Sequence, residues 1–124
     1  MKVLYVDDDD FIREVAEMAL GLDAAMDVKV AEDGPSALRL LSGGDWRPAL
    51  LLLDVMMPGM DGPELLQEAR KLDGYGDIPA IFVTARAQPH EHTRLLEAGP
   101  LGILTKPFDP LTFAAQVREL APGL

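Results

Sequence analysis

Short apolar runs alternate with longer amphipathic stretches from one end of the chain to the other, and that alternation admits few folds. A run of four or five apolar residues suits a strand covered on both faces, whereas apolar residues three and four apart suit a helix packed along one side. Read this way, the sequence predicts strands at Lys2 to Val6, Val28 to Ala31, Ala49 to Leu53 and Ala80 to Val83, with a weaker one at Leu101 to Leu104. Helical faces fill the gaps. They are Phe11, Val15, Met18 and Ala19; Leu38 and Leu41; Leu65, Leu66 and Ala69; Leu95 and Ala98; and finally Leu111, Phe113, Ala114, Val117 and Leu120. Gly34-Pro35 sets up a helix start, Gly99-Pro100 ends one, and Asp73 to Gly76 forms a turn-rich connection.

Strand and helix taken in turn require right-handed crossovers. The expected fold class is therefore α/β: a flavodoxin-like, doubly wound five-stranded parallel sheet in the order 2-1-3-4-5 with five flanking helices. A chain of 124 residues has room for one core, so a single domain is expected over 1–121, with 122–124 as its C-terminal end or the start of a trimmed linker. Eleven Lys and Arg stand against 21 Asp and Glu, and the resulting net charge of −10 repels nucleic acid and anionic membrane while suiting metal ions or a basic patch on a partner. The absence of cysteine removes disulfides, thiolate metal sites and thiol nucleophiles together and fits a reducing compartment. Four aspartates follow the first strand, leaving no apolar N-terminal stretch long enough for a signal or a span, so a cytoplasmic location is expected.

In such sheets ligands bind beyond the carboxyl ends of the strands. Asp7 to Asp10 follow the first strand and Asp54 the third. Those strands should be neighbours, about 4.8 Å apart, which brings Asp7, Asp8 and Asp54 close together. Carboxylates that close either hold a proton or are neutralised by a cation, and hard oxygen ligands in a half-open site favour Mg²⁺. Asp9 and Asp10 are better read as capping the helix that begins near Phe11. The fourth strand ends in Thr84 and the fifth in Thr105-Lys106-Pro107, so a hydroxyl donor and an ammonium join the acidic edge. Such a set suits a small anion such as a phosphoryl group.

These residues carry a resemblance. Val6-Asp7-Asp8, Ala31-Glu32-Asp33-Gly34, Asp54-Val-Met-Met-Pro58 with Met60-Asp61-Gly62, Val83-Thr84-Ala85, Ala98-Gly99 and Lys106-Pro107-Phe108 stand in the order and spacing of the receiver domain of two-component response regulators. The chain resembles that family over essentially its whole length. The resemblance implies that Asp54 accepts a phosphoryl group from a sensor histidine kinase, a histidine phosphotransfer protein or a small donor such as acetyl phosphate. It implies direct Mg²⁺ ligation by Asp8, Asp54 and the Met56 carbonyl, with Asp7 acting through water, and catalytic roles for Thr84 and Lys106. It further implies a cis bond before Pro107; Pro58 would stiffen the loop that holds Asp54, and Gly62 would supply a turn or helix-entry conformation near that edge.

Ile103 departs from the pattern, because the family places an aromatic residue there that swings inward after Thr84 moves. Met56 and Arg86 occupy the positions that tune phosphoryl lifetime, and neither is an acid or amide that would orient water. Slow self-dephosphorylation is therefore expected of a switch that is not otherwise an enzyme. Its output surface would be the fourth helix, fifth strand and fifth helix, which leaves open a phosphorylation-dependent homodimer or a downstream effector. His90 and His92 read as surface residues, since two positions apart on a helix they cannot chelate. Trp46 reads as packing.

The alternative is a receiver-like interaction module that is never phosphorylated. A haloacid-dehalogenase-type phosphatase fits poorly, because Met56 stands where that class needs a second acid. A flavin carrier fits worse, since four aspartates would oppose phosphate at the first loop.

Overall fold

In the computed structural model, which describes residues 1–85 and 89–124, five short parallel strands form one sheet. They are β1 (Lys2–Val6), β2 (Asp27–Ala31), β3 (Leu50–Asp54), β4 (Ala80–Thr84) and β5 (Gly102–Thr105), in the spatial order β2-β1-β3-β4-β5. The helices α1 (Asp10–Gly21), α2 (Gly34–Gly43), α3 (Gly62–Ala69), α4 (Pro89–Glu97) and α5 (Phe113–Leu120) alternate with them. Order and class are those read from the sequence. The third strand starts one residue later than expected, at Leu50, and runs on through Asp54.

Strand side chains alternate between the two faces, and each face has its own core. Leu4, Val6, Leu51, Leu53, Ala80 and Phe82 pack with Ala37 and Leu41 of α2, Leu65, Leu66 and Ala69 of α3, and Leu95 of α4. Val3, Tyr5, Leu50, Leu52, Ile81 and Val83 pack on the other side with Ala16, Ala19 and Leu20 of α1 and with Phe113 and Val117 of α5. Trp46 is buried with its Nε1 donating to Asp27 Oδ2 at 3.0 Å, the packing role expected of it. Arg70, just past α3, donates to the carbonyl of Ile78 at 3.1 Å and to that of Ala98 at 2.9 Å, clipping the start of β4 to the foot of α4.

Helix starts are written in short polar side chains. Asp9 accepts from the Ile12 N–H, Asp33 from Ser36, and Asp61 from Glu64, whose own carboxylate returns the bond in a capping box. Asp9 thus has the capping role expected of it, and Asp10 in the first turn pairs with Arg13.

Two helical faces differ from expectation. In α1 the docked residues are Ala16, Ala19 and Leu20, while Phe11 and Met18 are 70% and 62% exposed. Leu111 precedes α5 and is 84% exposed, leaving Phe113 and Val117 as the buried residues of that helix. Ala16, Ala19 and Leu20 form the stripe of α1 that meets the sheet, and Phe11 and Met18 lie on the side turned away from it.

Candidate functional site

At the carboxyl ends of β1 and β3 the register decides which acids meet. Val6 pairs with Leu53, so Asp7 and Asp54 leave the sheet side by side. Asp7, Asp8 and Asp54 each offer an oxygen, and these oxygens all lie within 4.8 Å of one another. Asp7 and Asp54 are buried, whereas Asp8 is exposed at the rim. Lys106 enters from the loop after β5, with its N–H donating to the Thr84 carbonyl at 2.8 Å. Its ammonium lies 2.6 Å from Asp7 Oδ2 and 3.1 Å from Asp54 Oδ1, bridging the two strands. The Lys106–Pro107 peptide bond is cis, as the resemblance implied. Thr84 stands between the strand of Asp54 and the loop of Lys106, buried at the end of β4 and paired with Thr105.

Burial pushes the Asp54 carboxyl up to about 6, with the charge of Asp7 adding to the effect and Lys106 working against it. For Lys106, burial alone would lower the ammonium, but its bonds to Asp7 and Asp54 hold it above the ordinary lysine value. With all groups ionised, three carboxylates against one ammonium leave two uncompensated negative charges. A hard divalent cation with oxygen preference cancels that excess, so the donor set fits Mg²⁺.

Gly62 matters for a reason other than turn conformation. A Cβ there would sit 2.6 Å from the Asp54 carbonyl oxygen, and the Gly62 N–H donates to the Val55 carbonyl at 3.0 Å. Helix α3 therefore presses directly on the backbone that carries Asp54. In the connecting loop the Pro58 carbonyl accepts from the Met60 N–H at 3.0 Å, across Gly59 with its positive φ of 82°. Met56 is 54% exposed beside the acids, while Met57 is core.

Ile103 pairs with Phe82 on β4 and packs, partly buried, on the α2, α3 and α4 side of the sheet. Arg86 lies outside the described residues. His90 is exposed, but His92 is only half exposed and its Nε2 is buried without a partner, against the expectation of two surface histidines.

Two contacts to Asp7 escaped the sequence reading. The Tyr5 hydroxyl donates to Asp7 Oδ2 at 2.9 Å, and Arg13 donates to the Asp7 carbonyl at 2.8 Å. The first was readable, since residues two apart on a strand share a face. The second was not, because it depends on how α1 returns over the sheet.

The family model for the response regulator receiver domain matches residues 3–118. The chain is 40% identical over 118 residues to the transcriptional regulatory protein CseB of Streptomyces avermitilis, covering 95% of this chain and 48% of that protein. It is 38% identical over 121 residues to the response regulator MprA of Mycobacterium tuberculosis, covering 97% and 50%. The chain thus spans about half the length of the curated relatives it matches. Among solved structures, the Vibrio cholerae chemotaxis protein CheY4 superposes with a TM-score of 0.84 at 31% identity, covering 96% of this chain and 97% of that one. A Francisella response regulator receiver domain superposes with a TM-score of 0.81 at 30% identity, covering 98% and 96%.

Proposed function

Since the chain belongs to the response regulator receiver family, we propose that Asp54 is its phosphoacceptor, served by Lys106, Thr84 and a divalent ion, with 1–121 as the receiver unit. The carrying observation is the convergence of the Asp7, Asp8 and Asp54 oxygens within 4.8 Å of one another beside an ammonium that touches two of them. Asp8, Asp54 and the Met56 carbonyl would hold Mg²⁺, with Asp7 acting through water. When bound, the ion supplies neutralising charge for the oxygens of the transferring group.

The remaining chemistry falls to side chains. An Asp54 carboxylate oxygen forms the new bond to phosphorus as the bond to the donor breaks, and the electron pair leaves with the donor, an imidazole nitrogen in a phosphohistidine. Lys106 moves its attraction from Asp54 Oδ1 to the incoming oxygens, so positioning and charge do most of the work. Thr84 offers its hydroxyl to the same group. Met56 brings no acid or amide to orient water, which favours slow loss of the phosphoryl group.

The donor is a histidine kinase or phosphotransfer protein. Phe11, Val15, Met18 and Leu22 run along α1 at helical spacing, and Phe11, Met18 and Leu22 are exposed. Phe11 and Val15 continue into an apolar groove with Pro107 and Phe108 that reaches Lys106. An apolar strip bordering the acceptor edge suits the helical surface of such a donor.

The responsive surface is α4, β5 and α5. Helix α4 buries only Leu95, and β5 has no fully buried residue, so this edge shifts at lower cost than β1, β3 or β4. Ile103 would couple Thr84 to that edge by packing rather than by an aromatic swing. No helix among the described residues is long and apolar enough to cross a membrane.

Incubation with Mg²⁺ and acetyl phosphate followed by intact mass measurement tests the reading. An adduct of about 80 Da that requires Mg²⁺ and is lost in Asp54→Asn is the expected result. No adduct on the wild-type protein would favour the unphosphorylated interaction module.

A further inference from the structure

Tyr5 lies on an interior strand with no exposed surface, and a phenol buried there needs a partner for its hydroxyl. The partner is Asp7 Oδ2, which also takes the Lys106 ammonium at 2.6 Å. Asp7 Oδ1 accepts from the Asp9 N–H at 3.0 Å. An ionised carboxylate has about four acceptor sites. Tyr5, Lys106 and Asp9 take up three, and the remaining one is on Oδ1.

The Tyr5 ring is itself braced. It meets Phe113 edge to face, with centroids 6.4 Å apart at 80°, and Phe113 stacks on Phe108 at 3.9 Å and 12°. Phe108 stands two residues beyond Lys106, so one aromatic group supports both the acid and the loop that delivers the ammonium.

We propose that Tyr5 is a positioning residue for divalent-ion binding, its hydroxyl fixing the Asp7 carboxylate so that one Oδ1 acceptor site is kept for the water through which Asp7 would meet the ion. The inference rests on the Mg²⁺-dependent reading of the acidic edge. Without the hydroxyl, Oδ2 keeps only Lys106, and the pull of the ammonium is opposed by the Asp9 N–H on Oδ1 alone, so the carboxylate turns about Cβ–Cγ and shifts Oδ1. Outer groups around a metal site typically cost tenfold or more in affinity when removed; Asp7, acting through water, is such a group, and Tyr5, which acts through Asp7, falls at the low end of that range.

Isothermal titration with MgCl₂ alone, on the full chain, provides the test, with Asp7→Asn and the double variant completing a cycle. Tyr5→Phe keeps the ring and its contact with Phe113, and should raise the Mg²⁺ dissociation constant about tenfold. Tyr5→Leu, which also lacks the hydroxyl, should do the same, and thermal melts confirm that each variant is folded. In the Asp7→Asn background the Tyr5→Phe effect should vanish. Wild-type affinity in Tyr5→Phe, or an undiminished loss in the Asp7→Asn background, overturns the inference and leaves the phosphoacceptor reading standing. A wild-type protein that takes up no Mg²⁺ overturns both.

Discussion

Asp54 makes the stability of the ion-free protein depend on pH in a direction opposite to that of most paired carboxylates. Its carboxyl titrates at about 6 in the folded chain against 3.8 for an unperturbed aspartate. Between those values the folded state retains a proton that the unfolded chain has released. Stability from this group is therefore fully present below the unfolded value and is lost as pH rises through 6. A difference of about two units at roughly 1.36 kcal/mol each gives a fall of about 3 kcal/mol between about pH 4 and pH 7. Asp54→Asn removes the titration while keeping the shape. Its stability relative to wild type should rise across the same interval by about 3 kcal/mol, on top of any pH-independent offset from the altered Lys106 contact. Urea unfolding in chelator, followed by the fluorescence of buried Trp46, measures this. Asp23 and Asp33, held below the usual carboxylate range by Arg118 and by Ser36, act in the opposite sense but cancel between the two proteins. Added Mg²⁺ at neutral pH should stabilise wild type by about 2.7 kcal/mol at a hundred times the dissociation constant. A difference between the proteins that is flat with pH, or that shrinks as pH rises, would refute the reasoning.

The close approach of α3 to the Asp54 backbone makes Gly62→Ala a second probe. The added methyl should cost about 1–3 kcal/mol in urea unfolding and slow labelling by acetyl phosphate, because it displaces the carbonyl of the acceptor itself. On α1, replacing Phe11 and Met18 with serine should leave acetyl phosphate labelling within about twofold of wild type while reducing transfer from a histidine-phosphorylated donor by tenfold or more, the size of a lost hot spot. Equal rates from the protein donor would remove the apolar strip from the docking surface.

The strands were legible because β1, β3 and β4 are apolar on both faces, and a sheet covered by helices on both sides leaves that mark. The acidic edge was legible because strand order makes β1 and β3 neighbours and thereby brings Asp7 and Asp54 together. The docked face of α1 was not. Two stripes share helical spacing there, and hydrophobicity favours Phe11 and Met18 over the alanines that meet the sheet. Nor was the role of Gly62, which depends on the backbone of another element rather than on its own dihedral angles. His92 belongs with these, since burial of one ring nitrogen depends on how α4 lies on the sheet.

Arg70 gives α4 a fixed end. Its guanidinium grips the Ala98 carbonyl just past the helix and the Ile78 carbonyl before β4, while the opposite end of the helix begins at Pro89. A helix held at one end behaves as a lever with its fulcrum at Ala98. In the proposed switch, movement at Thr84 would swing α4 about that end.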